Sequence, residues 1–271
     1  MPVLPELTDA TLTLEDRVAV LTLNRDDVRN ALTGTALIDD IERTVAWVNA
    51  TPEVSVLVLT GAGSAFSAGG NIKDMQARSG DFEGDVRTLE ARYRSGIQRI
   101  PKALARLEVP SIAAVNGPAI GAGLDLACMC DLRLAAARAK FGETFINLGI
   151  IPGDGGAWLL QRIIGYQAAA ELTFTGRVID AEEARQIGLV LRVTEDASLM
   201  EEALSLARTI AGKPPHAVRY SKRLMQKAQR MHLEDFLDYC AVLQGISHNT
   251  ADHLEAVNAF VGKRTPSYRG E

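Results

Sequence analysis

Cysteine is scarce in this chain: Cys128, Cys130 and Cys240 are the only three among 271 residues, too few and too unevenly spaced for a disulfide framework. Histidine is as sparse, four in all, and no spacing suits a zinc site, so no metal is expected. His248 and His253 stand neither three nor four positions apart, which keeps them from presenting a paired metal face on one helix. Basic blocks are missing too. Lys and Arg number 29 against 34 Asp and Glu, a formal charge of -5, which argues against a nucleic-acid or anionic-membrane surface. No uncharged apolar run approaches the ~20 residues of a membrane helix, and the opening MPVLPELTDATLTLED lacks the basic start and apolar stretch of a secretory signal. These absences predict a cytoplasmic protein in a reducing compartment. No low-complexity linker interrupts it. With 47% hydrophobic residues, the chain is long enough for one large domain or two small ones.

Apolar and polar residues alternate over 11–24 around Asp16 and Arg17, which predicts a hairpin whose second strand is Val18–Leu23. Leu37, Ile41, Val45 and Val48 then fall on one helical face, with Thr33 or Thr35 as the cap. Residues 54–60 (VSVLVLT) are β-branched and almost wholly apolar, as in a strand covered on both faces. Residues 61–70 break regular structure. A long helix is expected over 85–107, a buried strand at Ser111–Val115, a glycine-rich turn over 117–123, and a buried helix over 124–130. Leu132–Ala136 reads as a strand and 155–164 as a helix closed by Gly165. Beyond about residue 180 the pattern turns mostly helical. Strands alternating with helices imply an α/β layer, which the helical tail from Leu199 either covers or leaves to meet another subunit.

Two glycine-rich segments carry the chemical signal. FSAGGNIKDM (66–75) follows a buried strand and puts Ala68, Gly69 and Gly70 where backbone amides are left uncovered, although an ordinary surface loop reads the same way. NGPAIGAGLDLACMCD (116–131) runs from a strand through Gly117, Gly121, Ala122 and Gly123 into a helix, whose free N–H groups and positive dipole end suit an anion. Together the two loops could form a two-donor oxyanion hole. The dinucleotide-binding alternative fails on order, GxxxGxG, and on the missing ribose-binding acid.

The segments NRDDVRNAL (24–32), FSAGGNIKDM (66–75), NGPAIGAGLDLACMCDLRLAA (116–136) and FGETFINLGIIPGDGGAWLLQRIIG (141–165) resemble the enoyl-CoA hydratase/isomerase, or crotonase, family in order and approximate spacing. TGRVIDAEEARQIGLV (175–190) and the end around Phe260, Gly262 and Lys263 extend the likeness over nearly the whole chain. The resemblance implies a crotonase-like α/β spiral of repeated ββα units over residues 1–198. It also implies a helical C-terminal trimerisation region over 199–271, in a homotrimer or a hexamer built as a dimer of trimers. By the same resemblance the amides of Gly70 and Ala122 form the oxyanion hole. Val28, Arg29, Ala31, Ala68, Asn71 and Ile72 line the coenzyme A groove, and Phe260 and Lys263 complete it. The substrate is an acyl-CoA thioester, and no separate cofactor is implied.

Hydratases of this family resemble one another in using two glutamates. Here Asp125 stands at the first position and Phe145 at the second, which departs from that pattern. Glu143 and Asp154 are the nearby acids. Asp154 could equally cap the following helix, Glu143 could be solvated or ion-paired, and Asp125 could pair with Arg133. Asp125, on the otherwise apolar LDLACMC helix, should have a raised pKa unless paired, which makes it the expected principal base. Three functions fit: hydration of a 2-enoyl-CoA, double-bond isomerisation with Asp125 as the single proton shuttle, and a non-catalytic acyl-CoA-binding scaffold.

Overall fold

Residues 2–271 are described by a computed structural model. The chain opens with strands β1 (Ala10–Glu15) and β2 (Val18–Leu23), an antiparallel hairpin. Its two turn residues, Asp16 and Arg17, both take positive φ, 48° and 67°, the handedness that matches strand twist. Helix α1 (Leu37–Ala50) buries Leu37, Ile41, Val45 and Val48 as the spacing predicts. Its N-cap is Ala36, with no side-chain cap. Thr35 Oγ1 accepts weakly from the Leu37 amide at 3.4 Å, and Thr33 Oγ1 serves a different amide, that of Asn71, at 2.8 Å.

Strand β3 (Val56–Gly61) is buried at every position. After α2 (Ile72–Ala77), the helix expected over 85–107 is in fact two, α3 (Val86–Ser95) and α4 (Arg99–Leu104). Gly96 separates them at φ -109°, ψ -113°, a conformation that ends the α-helix and that a residue without a Cβ adopts most cheaply. Pro101 falls in the first turn of α4, where its missing N–H costs nothing.

Strand β4 (Ser111–Val115) leads through β5 (Ala119–Ile120) into α5 (Ala122–Cys128), all of whose residues are buried. Then follow β6 (Leu132–Ala136), β7 (Lys140–Gly142), α6 (Gly156–Ile164), α7 (Tyr166–Thr175), β8 (Val178–Asp180) and α8 (Ala181–Gln186). Strand β9 (Arg192–Thr194) lies where the sequence looked mostly helical. Its three residues are too few to show a period.

The main sheet has the order β1-β2-β3-β4-β6-β9 and is parallel beyond the β1 hairpin. Strands β5, β7 and β8 make a second, smaller sheet. Helix α9 (Leu199–Ala211) presents Leu199, Ala203, Ala207 and Ala211 to Val56, Val58, Ile112 and Leu134 and so covers one face of the main sheet. Helices α10 (Pro215–Ala228), α11 (Leu233–His248) and α12 (Ala251–Val261) complete the chain. Lys222 of α10 donates to Asp131 at 2.7 Å and to the Val109 carbonyl at 2.8 Å, which ties that helix to the body. Leu237, Val242, Leu254, Val257 and Phe260 of α11 and α12 remain exposed.

One buried side chain fastens the loop after β2 to the loop after β3. Asn30 is fully buried; its Nδ2 donates to the carbonyls of Ala62 (3.0 Å) and Ala65 (2.9 Å), and its Oδ1 accepts from the Arg25 amide (2.8 Å). Asn30→Ala strands these groups without partners, at about 1–3 kcal/mol for a buried unsatisfied group. Calorimetry should therefore record a melting temperature several degrees lower, and an unchanged one would show that Asn30 does not hold the loops.

Candidate active site

The two glycine-rich loops meet backbone against backbone. A Cβ on Gly123 would stand 2.1 Å from the carbonyl oxygen of Ser67, so only glycine permits the approach. Ser67 and Ile120 are joined directly, the Ile120 amide donating to the Ser67 carbonyl at 3.1 Å. On the other side the Ala68 amide donates to the Arg29 carbonyl (2.9 Å) and the Leu32 amide to the Gly69 carbonyl (2.7 Å). Residues 28–32 and 68–72, which hold Val28, Arg29, Ala31, Ala68, Asn71 and Ile72, are thereby laced into one ridge. Asn71 caps α2 through its side chain, accepting from the Lys73 amide at 3.0 Å.

Gly70 and Ala122 line one cavity, together with Thr33, Met75, Phe82, Tyr93, Ile97, Phe145, Ile150 and Asp154. Among the described residues neither the Gly70 nor the Ala122 amide donates to a protein acceptor. Ala122 is the first residue of α5, where helix geometry leaves the N–H free and the dipole positive.

Behind that wall three carboxyl groups converge. Asp125 comes from α5, Glu143 follows β7, and Asp154 precedes α6. All three are buried, and none of their six oxygens has a donor among the described residues. They crowd the backbone of Gly156: a Cβ there would lie 2.1 Å from Asp125 Oδ1 and 2.3 Å from Glu143 Oε1. The expected alternatives for these acids are not met. Arg133 donates to the carbonyls of Leu189 and Cys130, both at 2.7 Å, and not to Asp125. Asp154 makes no capping bond to α6, and Glu143 is neither solvated nor ion-paired.

Three like charges in one dry space cannot all ionise, so the cluster retains protons at neutral pH. Burial first, then the charges of Asp154 and Glu143, push the Asp125 carboxyl well above its ordinary range. A proton kept on Asp125 would give Asp154 the donor that the ionised trio lacks. Burial lifts Glu143 from 4.5 to about 7, with a bond from Asp125 opposing the rise. Asp154 is raised by burial as well, against the same opposing bond from Asp125. Of the three, only Asp154 lines the cavity, so Asp125, the expected principal base and single proton shuttle, is set behind it. Phe145 presents its ring there, because β7 ends at Gly142 and the 3-10 turn Thr144–Leu148 aims successive side chains apart.

Phe260, 87% exposed, and Lys263 lie at the end of α12. No hydrogen bond among the described residues joins their side chains to the ridge. Cys128 and Cys130 are buried thiols pushed up to about 12 by desolvation, inert to proton chemistry. His248 and His253 sit on two successive helices. Helix α11 ends at His248 and α12 starts at Ala251, so the chain turns and brings Nδ1 of one within 3.0 Å of Nε2 of the other. No cluster of three or more His, Cys, Asp or Glu placed to hold a metal ion occurs among the described residues.

Two free amides and an acid thus face one cavity, and relatives place the chain. The family model for enoyl-CoA hydratase/isomerase matches residues 13–271, and this chain belongs to that family. It is 36% identical over 262 residues to a short-chain-enoyl-CoA hydratase of Clostridium acetobutylicum, covering 96% of this chain and 97% of that one. It is 37% identical to a crotonyl-CoA hydratase of Syntrophomonas wolfei, covering 94% and 95% of the two chains. The crystal structure of an enoyl-CoA hydratase from Bacillus anthracis superposes with a TM-score of 0.90 at 34% identity, over 97% of this chain and 100% of that one, so the fold is that of the crotonases.

The acid cluster links stability to pH. Above 4.5 an unfolded Glu143 has lost its proton while the folded one keeps it, so the contribution of this residue to stability is fully present below 4.5 and is lost as pH rises through about 7. The full decline from this residue is on the order of 3 kcal/mol. Glu143→Gln should flatten the fall in melting temperature between pH 5 and pH 8; an identical slope in the variant would mean that the cluster does not hold the proton.

Proposed function

We propose that this chain is an enoyl-CoA hydratase, adding water across the double bond of a 2-enoyl-CoA thioester. The observation that carries the reading is the single cavity walled by the free amides of Gly70 and Ala122 and by the carboxyl of Asp154. The coenzyme A portion lies along the ridge of residues 28–32 and 68–72, and the thioester oxygen sits between the two amides. These donors stabilise the negative charge that develops as water attacks Cβ, and the loss of one such donor typically costs ~10²–10³-fold in rate.

Asp154 takes a proton from the attacking water and returns one to Cα, so a single carboxyl closes the cycle. Asp125 bonds to Asp154 from the buried side and sets its basicity, while Glu143 exchanges protons with Asp125. No cofactor is called for, since the thioester supplies the electron sink. In an assembled homotrimer or dimer of trimers the exposed apolar faces of α11 and α12 would be covered, and Phe260 and Lys263 would come to the groove. No helix among the described residues is long and apolar enough to cross a membrane, which fits a cytoplasmic setting.

That one acid faces the cavity also favours a second reading, a double-bond isomerase in which the same carboxyl moves a proton between carbons. Crotonyl-CoA and a 3-enoyl-CoA separate the two. Hydration removes the conjugated absorbance of the first, and isomerisation creates it in the second. Wild type is expected to hydrate crotonyl-CoA, with kcat falling about 10²–10⁴-fold in Asp154→Asn. Gain of absorbance from the 3-enoyl-CoA alone would establish the isomerase. Acyl-CoA binding without turnover of either would leave a scaffold.

A further inference from the structure

We infer that Tyr93 is a further residue of the reaction site, its hydroxyl holding the water that Asp154 activates. The inference rests on the hydratase reading and identifies the partner that Phe145 cannot be. A water molecule attacking Cβ needs an acceptor for one of its protons and a second contact that leaves a lone pair aimed at carbon. Asp154 is the acceptor. The polar side chains that line the cavity besides it are Thr33, Asp81, Arg92 and Tyr93.

The first three are engaged with the protein. Thr33 Oγ1 accepts from the Asn71 amide at 2.8 Å, and Asp81 Oδ2 accepts from the Gly34 amide at 3.2 Å. Arg92 Nη1 donates to the carbonyls of Gly80 and Glu83. The Tyr93 hydroxyl has no hydrogen-bond partner among the described residues, and a half-buried phenol ordinarily finds one.

Its place beside Asp154 is built, not incidental. The ring lies against Gly153, the residue before Asp154, so closely that a Cβ there would be 3.0 Å from Cε1. Gln98 bridges the two elements: its amide donates to the Tyr93 carbonyl at 3.1 Å, and its Nε2 donates to the Gly153 carbonyl at 2.8 Å. Burial and the negative charge of Asp154 raise the phenol above its ordinary 10.0, so at neutral pH it keeps its proton and serves as a donor.

In the step that follows, Tyr93 donates to the water oxygen and Asp154 accepts one water proton. The O–H bond breaks as the HO–Cβ bond forms, and the electron pair of the double bond moves into the thioester enolate held by Gly70 and Ala122. The proton on Asp154 then passes to Cα. Tyr93 neither gains nor loses a proton.

Tyr93→Phe removes the hydroxyl and keeps the ring on Gly153. The expected result is a kcat for crotonyl-CoA hydration about 10–100-fold lower, with KM within about threefold and an unchanged melting temperature. A second measurement separates water holding from general damage: exchange of the α-protons of butyryl-CoA with heavy water uses the amides and Asp154 but no attacking water. Exchange at the wild-type rate in Tyr93→Phe alongside slow hydration supports the inference. Hydration at the wild-type rate, or equal losses in both reactions, overturns it. A wild-type protein that leaves crotonyl-CoA unchanged defeats the hydratase reading itself, and the inference with it.

Discussion

The approach of the Ser67 carbonyl to Gly123 is the constraint on which the site depends. It presses two loops from different strands together without a side chain between them, leaving the amides of Gly70 and Ala122 on one cavity wall. It also sets where α5 begins, and therefore where Asp125 falls one turn later. A single added methyl group at position 123 would separate the loops and displace the helix that carries the acid. Close backbone contact of this kind gives rigidity that side-chain packing alone does not, because peptide groups have no rotamers to relax into.

The acid cluster is the electrostatic counterpart of that rigidity. Three carboxyls share one dry space with no cation, an arrangement that destabilises the fold and is kept only where strong proton affinity has a use. Asp154 faces the cavity, raised by burial, with Asp125 opposing that rise from behind. An apolar ring at Phe145 keeps its own part of the wall free of a further acid.

Much of the architecture was legible in the residues. The β-branched run before Gly61, the SIAAV strand and the four-residue spacing of α1 each carried a period long enough to read. The break at Gly96 was not, since a glycine inside an apolar helical pattern is often tolerated. Strand β9 was too short to show alternation. The glycine loops pointed to an anion site because chain direction alone puts free amides at a helix start. That Glu143 and Asp154 stand near Asp125 followed from the family resemblance, but their shared dry packing around Gly156, and which of them faces the cavity, did not, because both depend on how three separate elements meet. Tyr93 gave no signal either: a lone tyrosine on a polar helix has nothing local to mark the cavity beneath it.

The ring at Phe145 has an electrostatic corollary. A glutamate there would add a fourth carboxyl to a site whose acids already lack any counter-charge, and like-charge repulsion would make it, or a neighbour, take up a proton instead of ionising. With the buried trio in place, position 145 is therefore served best by a side chain that carries no charge.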